Sequence, residues 1–312
     1  MRLVFMGTPK FAVESLKRLN SSKHEMLAVV TSPDKPRGRG RKVSPTAVKK
    51  QAIEMGLPLL QPDNLKDDKF ISELKQINPD LITVAAFRIL PEVVYGLPRY
   101  GSINIHASLL PAYRGAAPIN WALINGEEKT GLTTFFLKKQ VDTGDILLQR
   151  EVAITPDDDF ESLHAKMMIE GAKLLLDTVN GIEDDSLKPY PQGNQQAIKA
   201  PKLTPETGLI DWNQPAYKIR NLIRGLSPYP GAYCFWNQKK LTILEVEIIA
   251  KNTDYNTGEV IESNPKKGFV IACSEDALFI TRLKPQGKKA LGSAEFVRGY
   301  HVKAADRFTN QR

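Results

Sequence analysis

The feature that most constrains this chain is the alternation of its first 85 residues, where short apolar runs take turns with stretches of helical spacing. Residues 2–6 form an apolar-rich strand, and Phe11, Ala12, Ser15, Leu16 and Leu19 follow at helical spacing. Thr8 and Pro9 have the form of an N-cap and a first helical position. Residues 26–30 read as the second strand. Ser44-Pro45 repeats the cap-plus-proline signal, with Ala47, Val48, Ala52 and Ile53 on one face and Gly56 as the stop. Residues 57–60 and 80–86 read as strands and 67–77 as a helix. Strands and helices in alternation bury their apolar faces by forming a parallel sheet covered on both sides. The expected class is α/β, with a mostly parallel sheet.

Residues 101–106 form the next strand, followed by a turn-rich segment at 111–115 and a helix near 117–125. Strands at 133–138 and 146–154 flank a polar stretch at 140–145, and 160–179 is a long amphipathic helix. Between Gly181 and Pro205 the periodicity fades and proline recurs at Pro189, Pro191, Pro201 and Pro205, the composition of a linker. A helix at 217–226 and five strands follow, at 232–236, 241–249, 258–263, 268–272 and 277–283. Closely spaced strands without intervening helices suggest a small β-barrel. No internal repeat and no low-complexity tract interrupts this order.

Composition narrows the class further. Apolar residues make up 42% of the 312 and charged residues 25%, the balance of an ordinary folded protein. No apolar run approaches the length of a membrane span, and the first six residues carry no secretory signal. Two cysteines, Cys234 and Cys273, cannot supply a disulfide framework. The expected location is the cytoplasm. The net charge of +8 is unevenly placed: residues 200–312 hold 17 basic and 11 acidic side chains, the rest 26 and 24. A basic C-terminal third suggests an anionic partner, nucleic acid first, with a solvated surface as the plain alternative. Residues 34–50 hold seven basic side chains and one acidic, interrupted by glycines. Such a loop can mould to a phosphate backbone, or be a mobile solvated loop. Trp212, Tyr229, Tyr233, Phe235 and Trp236 are aromatics of a kind suited to stacking, or to a core.

The strand Ser102-Ile103-Asn104-Ile105-His106 carries the chemistry. A period of two sends Ile103 and Ile105 to one face, Asn104 and His106 to the other. Buried parallel strands are usually apolar on both faces, so two polar side chains there demand partners. They lie at the carboxyl end of the strand, where open α/β sheets bind ligands. An amide beside an imidazole suits oxyanion stabilisation with proton transfer, though a hydrogen-bonded structural histidine fits the same residue. Asp142, in the 140–145 loop, would hold the imidazole in one tautomer if brought near it, or else be an ordinary turn residue. Ser108, Leu109, Leu110 and Pro111 could line a pocket for a flat heterocycle. Gly7-Thr8-Pro9 lacks the glycines of a dinucleotide or phosphate loop, so NAD and ATP chemistry have no support. The four histidines are scattered without ligand spacing, and no metal is expected.

Gly7-Thr8-Pro9, Pro33-Asp34-Lys35-Pro36 with Gly38-Arg39-Gly40, and the block from Asn104 to Asn120 resemble the methionyl-tRNA formyltransferase family. Asp142-Thr143-Gly144-Asp145 follows at the distance that family shows, and the similarity runs on through Ile210-Asp211-Trp212 and Arg224 to Pro230. The Asn-x-His and Ser-Leu-Leu-Pro elements alone mark the wider superfamily of folate-dependent formyltransferases; the basic insertion and the C-terminal β-domain narrow it. One departure is Ala86-Phe87-Arg88, where relatives often carry an aromatic-Gly pair.

The resemblance implies a Rossmann-like catalytic domain over residues 1–188, a linker over 189–204 and an OB-like, tRNA-binding barrel over 205–312. It implies an enzyme of translation initiation that transfers the formyl group of 10-formyltetrahydrofolate to the α-amine of methionyl initiator tRNA, as a monomer with no membrane partner. Asn104, His106 and Asp142 would be catalytic. Asn104 and His106 would stabilise the developing oxyanion, and Asp142 would orient His106 and help move the proton. Ser108, Leu109, Leu110 and Pro111 would belong to the folate site. Lys35, Arg37, Arg39, Arg41 and Lys42 would touch the tRNA. The competing readings are formyl transfer to an amino sugar or to glycinamide ribonucleotide, a nucleic-acid-binding protein without catalysis, and, third, a dehydrogenase on the same sheet.

Overall fold

Leu3, Val4, Phe5 and Met6 are completely buried, as the central strand of a sheet covered on both faces must be. The computed structural model describes residues 1–37, 42–193, 198–251 and 255–311. Along the chain to residue 200 run β1 (Arg2–Gly7), α1 (Phe11–Asn20), β2 (Glu25–Val30), β3 (Lys35–Arg37), β4 (Lys42–Ser44), α2 (Ala47–Glu54), β5 (Leu59–Leu60), α3 (Asp68–Ile77) and β6 (Leu81–Ala85). Then come α4 (Glu92–Tyr95), β7 (Ser102–His106), β8 (Arg114–Gly115), α5 (Pro118–Ile124), β9 (Lys129–Phe136), β10 (Ile146–Ala153), α6 (Phe160–Glu183) and β11 (Lys199–Ala200). Contacts divide the chain into two units. Met1–Gly115, Thr130–Ala153 and His164–Ala200 form the first; Ala116–Lys129, Ile154–Leu163 and Pro201–Arg312 form the second.

The first unit holds a seven-stranded sheet in the order β10-β9-β7-β6-β1-β2-β5. The pairs β2–β5, β1–β2, β1–β6 and β6–β7 are parallel, and β7–β9 is antiparallel. The chain winds outward from β1 through β2 to β5, then returns to β1's other side as β6. A crevice therefore opens at the carboxyl edge beside β1, next to β6 and β7, where ligands of such sheets sit. The fold class, with its mostly parallel sheet, is the one expected of the α/β alternation.

Some local signals resolve differently. Thr8 and Pro9 do not start a helix: α1 begins at Phe11 with Lys10 as its cap, and the Thr8 hydroxyl lies 3.1 Å from that of Ser32. Ser44 ends β4, and the cap of α2 is Thr46, whose hydroxyl accepts from the Lys49 amide at 3.0 Å. At Thr8 a tertiary partner takes the hydroxyl that a local reading assigns to the helix end, and Ser44 is instead paired with Lys35 in the hairpin. Asp67 does cap α3, and Asn78 closes it in the left-handed conformation. The basic stretch of residues 34–50 includes an antiparallel hairpin of β3 and β4. At its base Asp34 accepts from Lys49 (2.7 Å) and Gln61 (3.1 Å).

The second unit adds α7 (Ala216–Leu226), β12 (Ala232–Trp236), β13 (Lys239–Ile249), β14 (Val260–Asn264), β15 (Gly268–Ala272), β16 (Ala277–Pro285), β17 (Leu291–Gly292) and α8 (Ser293–Tyr300). Its antiparallel sheet has the order β12-β13-β16-β15-β14, with β17 on β16. The two edges are joined by the C-terminal segment: Arg307 bridges Glu259 beside β14, and Thr309 bridges Phe235 of β12. Trp212, Trp236, Phe269, Phe296 and Phe308 fill the interior, with Phe269 and Phe308 stacked at 5.4 Å. Trp212 and Trp236 are thus core, whereas Tyr229 is 81% exposed. The helix α8, which supplies Phe296, is absent from the expected run of strands.

Candidate active site

Asn104 and His106 stand on β7, between β6 and β9, at the carboxyl edge of the sheet. The backbone alternation turns both to the same face. Asn104 is half-buried and its carboxamide makes no hydrogen bond among the described residues. It lines a cavity of about 90 Å³ together with Val84, Phe87, Leu90, Leu137 and Asp142. His106 is 7% exposed, and its Nε2 donates to the Tyr113 carbonyl at 2.9 Å. A carbonyl only accepts, so Nε2 carries a proton and Nδ1 is the nitrogen left for chemistry.

Asp142 arrives from the loop between β9 and β10. Its Oδ2 lies 3.9 Å from His106 Nδ1 and accepts from the Gly115 amide at 3.2 Å. The sequence reading gave Asp142 the task of orienting His106, but the imidazole is oriented by Tyr113. At 3.9 Å the carboxylate acts on the ring by charge rather than by a hydrogen bond. Asp142 holds φ at 55° and Tyr113 at 59°, in the left-handed region that few non-glycine residues adopt. Two glycines allow this approach. A Cβ on Gly144 would overlap the Phe136 carbonyl, and one on Gly115 (φ 132°) would overlap the Ala200 carbonyl.

The segment after β7 is built as a support. Ser108 is fully buried and its hydroxyl donates to the Ala112 carbonyl at 2.6 Å. Thr133 Oγ1 donates to the Ser108 carbonyl (2.7 Å) and accepts from the Leu110 amide (3.0 Å) and Gln149 Nε2 (2.9 Å). Leu110 packs with Phe135 and Ile146. Ser108, Leu109, Leu110 and Pro111 are not in the lining of the cavity that Asn104 and Asp142 share. That lining includes instead the Phe87–Leu90 turn, which shares Phe87 and Arg88 with the Ala86-Phe87-Arg88 departure from relatives. Arg88 anchors the turn by donating to the carbonyls of Pro62 (2.7 Å) and Asp63 (2.8 Å). Burial holds the Arg88 guanidinium below its ordinary value.

Of the basic residues expected to touch nucleic acid, Lys35 and Arg37 lie on β3 and Lys42 on β4. Arg39 and Arg41 lie outside the described residues. No group of three or more His, Cys, Asp and Glu side chains able to hold a metal comes together among the described residues. No helix among them is long and apolar enough to cross a membrane.

A family model described as formyl transferase matches residues 1–179, and one described as formyl transferase, C-terminal domain, matches residues 202–301. A curated relative from Caldanaerobacter subterraneus subsp. tengcongensis, called methionyl-tRNA formyltransferase, is 48% identical over 97% of this chain and 98% of its own length. Another of the same description, from Bacteroides thetaiotaomicron, is 44% identical over 97% of this chain and 96% of its own. Among solved structures, the sugar 3N-formyl transferase WlaRD, crystallised with dTDP and 5-N-formyl-THF, superposes with a TM-score of 0.69. It is 18% identical, over 93% of this chain and 99% of that one. That likeness supports the fold alone.

Proposed function

The chain belongs to the methionyl-tRNA formyltransferase family, and from that premise we propose how its residues carry the reaction. It is a one-carbon group transferase that moves the formyl group of formyl-tetrahydrofolate to methionyl-tRNA. In our reading the donor is 10-formyltetrahydrofolate, the acceptor is the initiator tRNA, and the reaction takes place in the cytoplasm.

The observation that carries the assignment is the cavity shared by Asn104 and Asp142, with His106 on the same strand face as Asn104. The neutral α-amine attacks the formyl carbon, giving a tetrahedral adduct with a negative oxygen and a positive amine nitrogen. Asn104, whose amide N–H groups have no protein acceptor among the described residues, donates to that oxygen. The amine's proton passes to the His106–Asp142 pair. The carbon–N10 bond then breaks, its electron pair stays on the folate nitrogen, and that nitrogen takes up the proton. Tetrahydrofolate and the formylated aminoacyl-tRNA leave. His106 Nε2 is already committed to Tyr113, so its role in this scheme falls to Nδ1, and the oxyanion falls to Asn104. An imidazolium formed at Nδ1 is held by Asp142. Two unit charges about 4 Å apart attract by roughly 4 kcal/mol at an effective dielectric of about 20.

The apolar part of the same cavity, with Phe87, Leu90 and Leu137 around Asn104, fits the flat end of the folate. In our reading the donor's flat end lies on the Phe87–Leu90 side, next to the Ser108–Pro111 segment, where the Ser108 hydroxyl and the Ser108 and Leu110 carbonyls are already used within the protein. The basic hairpin and the basic C-terminal stretch of residues 200–312 supply the charge for the tRNA.

Formylation with 10-formyltetrahydrofolate should be efficient with charged initiator tRNA and poor with charged elongator tRNA. Equal rates on both, or preference for a free amino sugar nucleotide, would remove the tRNA assignment. For the basic stretch of residues 34–50, Arg39→Ala should raise KM for the tRNA and reduce the slope of log KM against log salt by about one charge contact. An unchanged salt slope would move the contact elsewhere.

A further inference from the structure

The segment that the sequence marks as a linker is bound to the catalytic loop, and the geometry points to Gln192 as a positioning residue for Asp142. Gln192 Nε2 donates to two carbonyls of that loop, Asp142 O at 3.0 Å and Gly144 O at 2.8 Å. Its Oε1 accepts from the Arg114 guanidinium, from Nε at 3.1 Å and from Nη2 as well. Both ends of one amide are thus used, and each end reaches a different side of the site. The loop it holds needs holding, because Asp142 sits at φ 55° and its carboxylate must stay near His106 Nδ1.

The rest of the segment reinforces this assignment. Tyr190 exchanges backbone hydrogen bonds with Ile146, at 2.8 and 3.0 Å, so Gln192 is delivered alongside the start of β10. Farther on, β11 pairs in parallel with β8, and the Ile198 carbonyl accepts from the Tyr113 amide at 2.6 Å. Tyr113 is the residue whose carbonyl orients His106, and Gly115 is the one whose amide binds Asp142. The segment therefore grips the site at two points, through the Gln192 side chain at the aspartate loop and through β11 at the strand that supports the imidazole. Gln192 touches no reacting atom in this account and acts only through Asp142.

This inference rests on the catalytic reading of Asp142, and the test separates the two. Gln192→Glu keeps an acceptor for Arg114 but removes both donors and sets a carboxylate against two carbonyl oxygens. Gln192→Ala removes both ends. Each should lower kcat about 10-fold or more, with both KM values within twofold and the thermal midpoint close to that of the parent. Asp142→Asn measures the reading itself, and the double variant Asp142→Asn/Gln192→Glu measures the coupling. A residue that works only through Asp142 costs little once the carboxylate is gone, so the double variant should turn over about as fast as Asp142→Asn alone. Wild-type kcat in both Gln192 variants, or full additivity in the double variant, would overturn the positioning role. Wild-type kcat in Asp142→Asn would instead overturn the catalytic reading beneath it.

Discussion

Asn104→Ala is expected to lower kcat by about 10²–10³-fold, the usual cost of losing one oxyanion donor. The size follows from what the amide does and does not touch. It faces the cavity it shares with Asp142 and makes no hydrogen bond to the protein among the described residues. Truncating it therefore strands no buried partner, and the unfolding midpoint should stay within a few degrees of the parent. KM for the tRNA should change little, since the contact is made only as charge develops on the formyl oxygen. Asn104→Asp fills the same space with a negative charge and should be at least as slow. Single-turnover rates at saturating folate and tRNA decide the matter. Turnover within twofold of the parent would remove Asn104 from the chemistry.

His106→Gln is the second large effect, expected to reduce the single-turnover rate on the order of 10²–10³, within the range that general acid–base catalysis supplies. Glutamine is chosen over alanine because its amide can still donate to the Tyr113 carbonyl, as Nε2 does at 2.9 Å. The support of the 108–115 segment is then kept, while the ability to take and return a proton at neutral pH is lost. His106→Ala removes both and should combine the same rate loss with a lower unfolding midpoint, because a buried carbonyl loses its donor. A His106→Gln variant with full activity would leave the histidine a purely structural residue, and the proton would have to travel by another route.

Much of the candidate site was legible before any coordinates. Asn104 and His106 stood out because two polar residues at i and i+2 in a buried strand have no bland explanation on both positions at once. Asp142 was open between a partner for His106 and an ordinary turn residue, since Asp-Thr-Gly by itself reads as a turn, and only the resemblance favoured the first. The cavity wall at Phe87–Leu90 was not legible as a wall, because an apolar turn after a strand looks the same whether it meets solvent, core or ligand. Gln192 carried no signal at all. It lies 50 residues from Asp142 in a proline-rich stretch, and nothing local distinguishes a glutamine that binds two carbonyls from one in water.

The sequence alone determined the elements whose cause is local. Apolar periodicity set the strands and helices of the first unit, and their alternation selected a mostly parallel sheet, because each face has to be buried against its neighbours in the chain. The same periodicity marked the strands of the second unit, though not that residues 305–309 join its two edges. Tertiary structure alone decided every pairing between distant polar groups. It chose Tyr113 rather than Asp142 to orient the imidazole, sent Thr8 to Ser32 and not to a helix end, and docked β11 and Gln192 on the catalytic loop. The reason is physical. Burial of an apolar face is satisfied by any apolar neighbour, so it can be read from spacing. A hydrogen bond needs one particular donor within about 3 Å of one particular acceptor, and only the folded chain specifies which atoms meet.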